Sequence, residues 1–319
     1  RENHLIWEKY RLLKLQMLSS NANSSSSEKI LVVTVNWNRF KDTCECVGSL
    51  IAQEGVNIDL IVVDNGSTDD SYQLLQQKYP QLTIIRSVEN RGFAGGFNLG
   101  IKHALTLDPN YIMIINNDIV AHKDMIMKLI GEMGDEKVGI VSPLILYHSN
   151  PQEVWSSGGD INPVVLMPID SHHRDEVPTE PVFRTFLSGC CMLMKRSLID
   201  SIGLFDERFF LYLEDLDYCL RVMRSVWRMK LVPSSKLLHK VSLSSGGELS
   251  PWERYYMALS TVLYYRKHIT IRNFVPIFLF RFISFILWNF RLLLRLDIKA
   301  LCAFWRGTFK GLGKSILEN

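Results

Sequence analysis

Two asparagines and an aspartate, Asn116, Asn117 and Asp118, directly follow the apolar run of residues 111–115. A short apolar run that ends in polar residues predicts a buried strand of a parallel sheet. In open α/β sheets, ligands bind beyond the carboxyl ends of the strands, which is where Asp118 would lie. A carboxylate beside side-chain amides suits a divalent ion that also holds substrate phosphates. The alternative is that these residues only cap a helix that begins near residue 122.

A second group of carboxylates, Glu214, Asp215 and Asp217, precedes a helical pattern. On a helix, Asp215 and Asp217 lie about 200° apart, so they cannot act at one point. A carboxylate within hydrogen-bond reach of a hydroxyl can serve as a general base. Acidic residues in a first helical turn also stabilise the helix dipole, and that role is the alternative for Glu214 and Asp217.

The elements that would position these residues alternate between strands and helices. Strands are predicted at residues 30–35, 58–63, 82–88 and 111–115, with helical stretches between them. This alternation predicts βαβ units and a largely parallel sheet. Each of the four strands ends in a polar cluster, which favours a nucleotide site at one edge of the sheet. The chain has neither the dinucleotide fingerprint nor a Walker loop, so a Rossmann dehydrogenase and a P-loop enzyme are excluded.

Composition sets the broad class of the protein. The 319 residues are 47% hydrophobic and 22% charged, as in a globular protein, and the formal net charge of +3 is too small to indicate nucleic-acid binding. The six cysteines form no C-x-x-C pair and no disulfide-type spacing, so they are interpreted as reduced thiols of a cytosolic protein.

Three regions are predicted along the chain. Residues 1–29 form a leader helix with a Ser/Asn-rich linker, residues 30–248 the α/β domain, and residues 249–319 a helical C-terminal region. Between residues 139 and 186 the pattern loosens, and residues 167–181 are predicted to form a mobile loop, with a metal site at His172 and His173 as the less favoured reading.

Residues 274–296 are strongly apolar but contain three arginines. On a helix, Arg281, Ser284, Arg291, Arg295 and Lys299 fall on a narrow cationic stripe. This pattern predicts an interfacial amphipathic helix rather than a spanning one, with Trp288 and Trp305 at the level of the lipid headgroups. The alternative is a helix that packs on the catalytic domain or on a second copy in a homo-oligomer.

Several motifs in order and spacing resemble family 2 glycosyltransferases of the GT-A fold, and in particular their rhamnosyltransferase-like and galactofuranosyltransferase-like members. The motifs are Val35-Asn36-Trp37-Asn38, Asp64-Asn65-Gly66-Ser67-Thr68-Asp69, Asn90-Arg91-Gly92-Phe93-Ala94-Gly95-Gly96-Phe97-Asn98, Asn116-Asn117-Asp118, Ser188-Gly189-Cys190-Cys191, Phe205-Asp206, Glu214-Asp215-Leu216-Asp217 and His239. The resemblance covers residues 30–245 and implies an α/β GT-A domain with a mainly parallel central sheet.

The resemblance also implies roles on the donor side. Asp64 matches the residue that reads the nucleotide base. Asp118 and His239 match residues that hold Mg²⁺ or Mn²⁺ on the diphosphate, although Asn116 stands where the family often has a first aspartate. The other residues expected on the donor side are Val35, Asn36, Arg91 and Asn117.

On the acceptor side, Asp215 matches the general base that deprotonates an acceptor hydroxyl. Trp155, Gly189 and Glu214 are expected to border the transferred sugar or the acceptor. The loop of residues 242–247 is expected to order over the donor.

The function predicted from these residues is inverting, metal-dependent sugar transfer from a nucleotide-diphosphate sugar, dTDP-rhamnose or another pyrimidine donor. The acceptor would be a growing, lipid-linked surface polysaccharide, and the enzyme would be a cytoplasmic protein at the inner face of the cell membrane. The alternatives are a silent nucleotide- or glycan-binding scaffold, to which Asn116 would point, and a sugar-phosphate nucleotidylyltransferase, whose Gly-rich basic N-terminal loop is not found here.

Overall fold

The structure is a computed structural model that describes residues 28–170, 177–241 and 249–314. Its strands are β1 (Ile30–Asn36), β2 (Ile58–Asp64), β3 (Thr83–Arg86), β4 (Tyr111–Asn116), β5 (Ile119–Ala121), β6 (Val138–Tyr147), β7 (Val154–Ser156), β8 (Gly159–Ile161), β9 (Pro168–Asp170), β10 (Val182–Arg184), β11 (Cys191–Lys195) and β12 (Arg228–His239). Its helices are α1 (Phe40–Ile51), α2 (Ser71–Lys78), α3 (Gly92–Leu105), α4 (Met125–Gly131), α5 (Arg196–Ile202), α6 (Glu214–Met223), α7 (Pro251–His268), α8 (Phe274–Leu294) and α9 (Ile298–Gly313).

The first half of the chain forms the parallel part of the sheet, in the order β3-β2-β1-β4. The four strands predicted from the sequence are confirmed, and each strand end lies within two residues of its predicted position. The register pairs Asn36 with Asp64 across β1 and β2, so polar residues at the ends of two strands become direct neighbours.

The second half of the chain extends the sheet with mixed strand directions. β11 is antiparallel to both β4 and β6, and β12 is parallel to β6. β12 continues past Pro233 through a register shift between Val232 and Lys236, as expected where a proline cannot join the ladder. The short strand β5 pairs with the end of β12, which places Ile119 opposite His239. Residues 119–121 therefore form a strand, and the helix begins at Met125 rather than near residue 122.

Apolar side chains cover both faces of the sheet. One layer joins β1, β2 and β4 to α3 and to the later helices, and the other joins the same strands to α1 and α4. Gly100 explains how closely α3 approaches, because a Cβ at this position would lie 2.3 Å from Cγ1 of Val33. Leu259, Leu263 and Tyr264 of α7 belong to the first layer, so α7 is part of the main core.

The helices α7 and α9 pack against each other at very short range. A Cβ at Gly307 would lie 2.2 Å from the carbonyl oxygen of Tyr255, and one at Gly311 would lie 2.8 Å from Cβ of Val262. Any larger residue at either glycine would push α9 away from α7.

Helix α8 packs with one side only. Ile277 and Leu292 are buried, while the opposite side is apolar and at least half exposed at Phe278, Phe282, Ile283, Ile286, Leu287 and Phe290. By length and composition, α8 is the one helix of the described residues that could cross a membrane.

The predicted cationic stripe is wrong in its extent. α8 ends at Leu294, Leu296 adopts a left-handed backbone, and Asp297 caps the next helix through Ala300. Lys299 therefore belongs to α9. Trp288 has protein partners, because Arg254 lies 4.1 Å and Arg291 5.1 Å from the centre of its ring.

Candidate active site

A chain of buried hydrogen bonds links the ends of β1, β2 and β4. Asn36 Nδ2 donates to Asp64 Oδ1 at 3.0 Å, and Thr43 Oγ1 donates to Asn36 Oδ1 at 2.7 Å. Asn117 Nδ2 in turn donates to Thr43 Oγ1 at 2.9 Å. Three of the predicted donor-side residues are thus brought together. Thr43 was missed by the sequence analysis, because a threonine inside an amphipathic helix gives no signal of a role.

The carboxylate of Asp64 is fully buried and already has protein partners. The Ser67 backbone N–H donates to Oδ2 at 3.3 Å, and Nε of Arg86 lies 3.9 Å from the same oxygen. Asp64 therefore organises the turn after β2. Val35 and Trp37, at the end of β1, keep part of their side chains exposed on this edge.

Asp118 and His239 meet although they are far apart in the sequence. His239 Nε2 lies 3.2 Å from Asp118 Oδ1, because β5 and the end of β12 are paired. The Trp155 ring packs edge-on against the His239 ring, with centroids 4.4 Å apart. His239 Nδ1 is buried and has no hydrogen-bond partner among the described residues.

These two side chains fit a divalent ion that shares its coordination with a diphosphate. Two ligands at neighbouring corners of an octahedral Mg²⁺ site are about 3 Å apart, close to the observed separation of Asp118 and His239. Within the described ranges, no cluster of three or more His, Cys, Asp or Glu residues could hold a metal by itself. Magnesium commonly binds through one or two carboxylates plus substrate phosphates, so two protein ligands are sufficient when the substrate supplies the others.

Asp215 opens into a cleft of about 830 Å³, with Trp155 and Ser188 also in its lining. The Gly189 backbone N–H donates to Asp215 Oδ2 at 3.0 Å, and the Leu216 N–H donates to Oδ1 at 2.7 Å. Burial raises the pKa of Asp215, and the two backbone donors oppose that rise. A Cβ at Gly189 would lie 3.1 Å from the Asp215 Cβ, so the glycine allows this close contact.

Glu214 is a second buried carboxyl group, next to Asp215. Its Oε2 has no hydrogen-bond partner in the described part of the chain. Burial and the charge of Asp215 raise the pKa of Glu214 well above its usual range. Tyr212 and Leu213, just before it, both have positive φ, at 70° and 65°. Such strained backbone conformations cost free energy and are found most often at functional sites. The strain at the start of α6 therefore supports a functional role for this segment.

Cys190 lies between the two halves of the site. Burial raises the pKa of its thiol, and the charges of both Asp118 and Asp215 raise it further. Asp118 and Asp215 therefore lie within electrostatic range of one buried thiol.

Two other charged residues have structural partners. Arg91 donates to Glu207 at 2.8 Å, so its guanidinium is held in an ion pair and not presented alone to a phosphate. Asp217 is fully buried and contacts Arg221 at 3.0 Å and both Lys267 and His268 at 2.7 Å. Asp217 thus joins α6 to α7, and its side chain points away from the cleft that Asp215 lines.

Comparison with known proteins decides the family. Residues 31–203, just over half of the chain, match the family described as "Glycosyl transferase family 2". The chain belongs to glycosyl transferase family 2. The sequence-based expectation of this family is therefore confirmed, and so is its expectation of an enzyme that transfers a sugar.

Three relatives of the chain are named as sugar transferases. The chain is 29% identical over 211 residues to the N-acetylglucosaminyl-diphospho-decaprenol L-rhamnosyltransferase of Mycobacterium tuberculosis, covering 59% of this chain and 68% of that protein. It is 25% identical to the low-salt glycan biosynthesis hexosyltransferase Agl10 of Haloferax volcanii, over 62% of each chain. It is 24% identical to the galactofuranosyltransferase GlfT1 of Mycolicibacterium smegmatis, over 62% of this chain and 67% of that protein.

Solved structures confirm the GT-A-like fold of this family 2 member. GalNAc-T7 with UDP, GalNAc and Mn²⁺ superposes with a TM-score of 0.59 at 15% identity, over 75% of this chain and 51% of that one. The mannosyltransferase PcManGT of Pyrobaculum calidifontis, with GDP-Man and Mn²⁺, superposes with a TM-score of 0.55 at 14% identity, over 98% and 87%.

Some predicted features lie outside the described residues. These are His172 and His173, the loop of residues 242–247 and most of the leader region of residues 1–29.

Proposed function

We propose that this family 2 glycosyltransferase transfers a sugar, with inversion, from a pyrimidine-nucleotide donor to a hydroxyl of a lipid-linked saccharide. L-rhamnose from dTDP-rhamnose is the donor we favour, since the most similar relative named above is an L-rhamnosyltransferase. The division into a transferase domain of residues 30–248 and a C-terminal region of residues 249–319 is part of the proposal.

The observation that carries the proposal is that Trp155 connects the two chemical groups. Trp155 lines the cleft together with Asp215, and its ring packs on His239, which in turn contacts Asp118. A base on one side and a diphosphate-binding pair on the other is the arrangement that a single displacement at an anomeric carbon requires.

In the proposed reaction, the Asp215 carboxylate accepts the proton of the acceptor hydroxyl. The hydroxyl oxygen forms a bond to the anomeric carbon while the bond from that carbon to the diphosphate oxygen breaks, so the configuration inverts and a nucleoside diphosphate leaves. The backbone donors at Gly189 and Leu216 fix the carboxylate, which leaves its remaining lone pairs for the hydroxyl. Its raised pKa brings the base nearer to working pH.

A divalent ion held by Asp118 and His239 would, when bound, neutralise charge on the departing diphosphate. The 3.2 Å contact between His239 Nε2 and Asp118 Oδ1 supports this assignment, because it is close to the spacing of two ligands of one ion. Both solved neighbours named above are complexes with Mn²⁺, which is in keeping with Mn²⁺ or Mg²⁺ here.

We further propose that the exposed apolar side of α8 lies in the membrane surface, at the cytoplasmic face where a lipid-linked acceptor would be presented. An exposed apolar patch on this scale marks an interaction surface. The three arginines favour a helix that lies in the interface over one that spans the bilayer.

The scaffold alternative has less support. One carboxyl oxygen of buried Glu214 has no hydrogen-bond partner among the described residues, which costs folding free energy, and a binding scaffold has no reason to keep such a group beside Asp215.

The test is nucleotide release from a panel of dTDP-, UDP- and GDP-sugars, with Mn²⁺ or with chelator, and with a lipid-linked saccharide extract as acceptor. We expect acceptor-stimulated, chelator-sensitive release from one pyrimidine donor. Donor binding without release on any acceptor would favour the scaffold instead.

A further inference from the structure

A second cleft, of about 490 Å³, lies between α7 and α9. We call it the α7–α9 cleft. Its walls are aromatic and its open end is basic: the residues that define it here are Phe210, Tyr255, Tyr256, Phe309, Lys310 and Lys314. Among the described residues that line it, none is acidic.

The two lysines make the lining of the cleft positively charged. Neither Lys310 nor Lys314 forms a salt bridge within the described ranges, although the charge of Asp206 acts on Lys314. Lys314 Nζ donates to the Arg208 carbonyl oxygen at 2.9 Å, which fixes its position. A fixed ammonium beside a second, exposed one suits a phosphate or diphosphate group.

The aromatic wall connects this basic end to α8. Phe309 is 60% exposed and contacts Trp305, with ring centroids 5.6 Å apart. Trp305 contacts Phe285 of α8 at 5.0 Å. A ligand that combined an anionic group with a long apolar chain could follow this aromatic path from the lysines towards the surface of α8.

The opposite wall connects the cleft to the segment that precedes α6, the helix that carries Asp215. Phe210 stacks on Tyr256 at 4.8 Å, and its carbonyl oxygen accepts a hydrogen bond from the Phe93 N–H at 2.8 Å. From Phe210 the chain runs through the left-handed residues Tyr212 and Leu213 directly into Glu214 and Asp215. A ligand that contacts Phe210 would therefore touch the chain a few residues before Asp215 in the sequence.

We infer that the α7–α9 cleft binds the diphosphate and the first isoprene units of a polyprenyl-diphosphate acceptor. The inference rests on the proposed function, in which the acceptor saccharide is lipid-linked. The lysines hold the diphosphate, the aromatic side chains hold the isoprene units, and the saccharide extends towards the cleft of Asp215.

The test compares two double variants, each of which removes two positive charges from α9 or from the residue that follows it. Lys310→Gln/Lys314→Gln alters the cleft, and Lys299→Gln/Arg306→Gln alters exposed positions outside its lining. Each is bound to phosphatidylcholine vesicles that carry decaprenyl diphosphate, and to vesicles that carry phosphatidylglycerol at the same charge density. Because both variants lose two charges, general attraction to anionic lipid falls equally.

We expect the cleft variant to bind decaprenyl-diphosphate vesicles at least about tenfold more weakly than the control variant, since each cleft lysine would donate a charge-assisted hydrogen bond to the diphosphate, and the loss of such a bond lowers affinity about tenfold or more. On phosphatidylglycerol vesicles the two variants should match. Equal losses on both kinds of vesicle, or no loss in the cleft variant, would overturn the inference.

Two further measurements distinguish a lipid diphosphate from a soluble anion as the ligand. They also distinguish failure of the cleft proposal from failure of the proposed function. Inorganic pyrophosphate should compete poorly; competition as strong as that of the lipid would make the cleft a site for a soluble anion and overturn the lipid assignment. Phe309→Asn, at an exposed position, should weaken binding of the lipid several-fold. Because these assays need no donor, selective lipid binding without sugar transfer would reject the proposed function alone, and transfer without selective binding would reject the cleft alone.

Discussion

Asp215 and Asp217 lie two residues apart on one helix, and their exchange for asparagine should have opposite consequences. We predict that Asp215→Asn abolishes transfer and leaves the fold stable, whereas Asp217→Asn lowers stability and leaves the chemistry of the folded protein intact. The reason is that one carboxylate lines the cleft and the other is buried among cations of α6 and α7.

The loss at Asp217 follows from its partners. Removing this carboxylate leaves Arg221, Lys267 and His268 without their shared anion, and breaking a buried ion network in this way costs about 3–5 kcal/mol. At about 2–4 °C per kcal/mol for a chain of this size class, Tm should fall by roughly 10 °C. Although burial by itself raises the pKa of Asp217, His268 and the two cations hold it below its ordinary value. Its stabilisation is therefore present at neutral pH and is lost only as pH falls through that lowered pKa.

The effect at Asp215 has the opposite sign. Burial raises its folded-state pKa, so the charged form lowers stability at neutral pH, and a neutral asparagine removes that cost. The single amide oxygen can accept from only one of the Gly189 and Leu216 N–H groups, so the loss of the other hydrogen bond, about 1 kcal/mol, offsets part of that gain. Loss of a general base should reduce kcat by about 10²- to 10⁴-fold, with donor affinity unchanged.

The assay is thermal unfolding of both variants together with donor binding and transfer, each measured per folded molecule. Asp200→Asn, which removes an exposed carboxylate on α5, is the control and should change the free energy of unfolding by less than about 0.5 kcal/mol. If Asp215→Asn kept full transfer, or if it lost donor binding and transfer together, the assignment of the base would be refuted.

Three further predictions follow from the site and from α8. His239→Gln should raise the Mn²⁺ concentration needed for half-maximal transfer about 10-fold or more, and Asp118→Asn should do the same; unchanged titrations would remove both from the metal site. The pH profile of kcat/KM should fall on the acid side at a pH above about 4, because Asp215 must be deprotonated and its pKa is raised, so an acid limb at or below pH 4 would contradict the role of Asp215. Phe278→Gln/Ile286→Gln should weaken binding to phosphatidylcholine vesicles at least about tenfold without changing Tm, since both side chains are half or more exposed, and unchanged vesicle binding would contradict the membrane role of α8.

Local pattern was enough to predict the parallel half of the sheet. Each of its four strands is a short apolar run followed by polar residues, and both features depend on neighbours in sequence. The sequence also predicted that Asp215 and Asp217 cannot act at one point, because the helical repeat alone puts them on different faces. The pattern of motifs predicted the family, and the comparison confirmed it.

Tertiary structure decided which of the predicted residues act together. Nothing near Asp118 in sequence indicates that His239 will meet it; the contact exists because β5 pairs with the far end of β12. Likewise, only the folded chain shows that Arg91 is held by Glu207 and that Asp64 is buried among protein donors.

The C-terminal helices show the same division. The sequence of α8 determines that it is apolar on most of its surface, because composition and helical repeat fix which residues share a face. Which face meets protein is set by packing against α7 and α9, and the close packing of α9 on α7 in turn depends on Gly307 and Gly311, where no side chain would fit. Long-range pairing and helix packing therefore determined the site and the exposed surface, since both join residues that are separated in the chain and whose proximity no local pattern encodes.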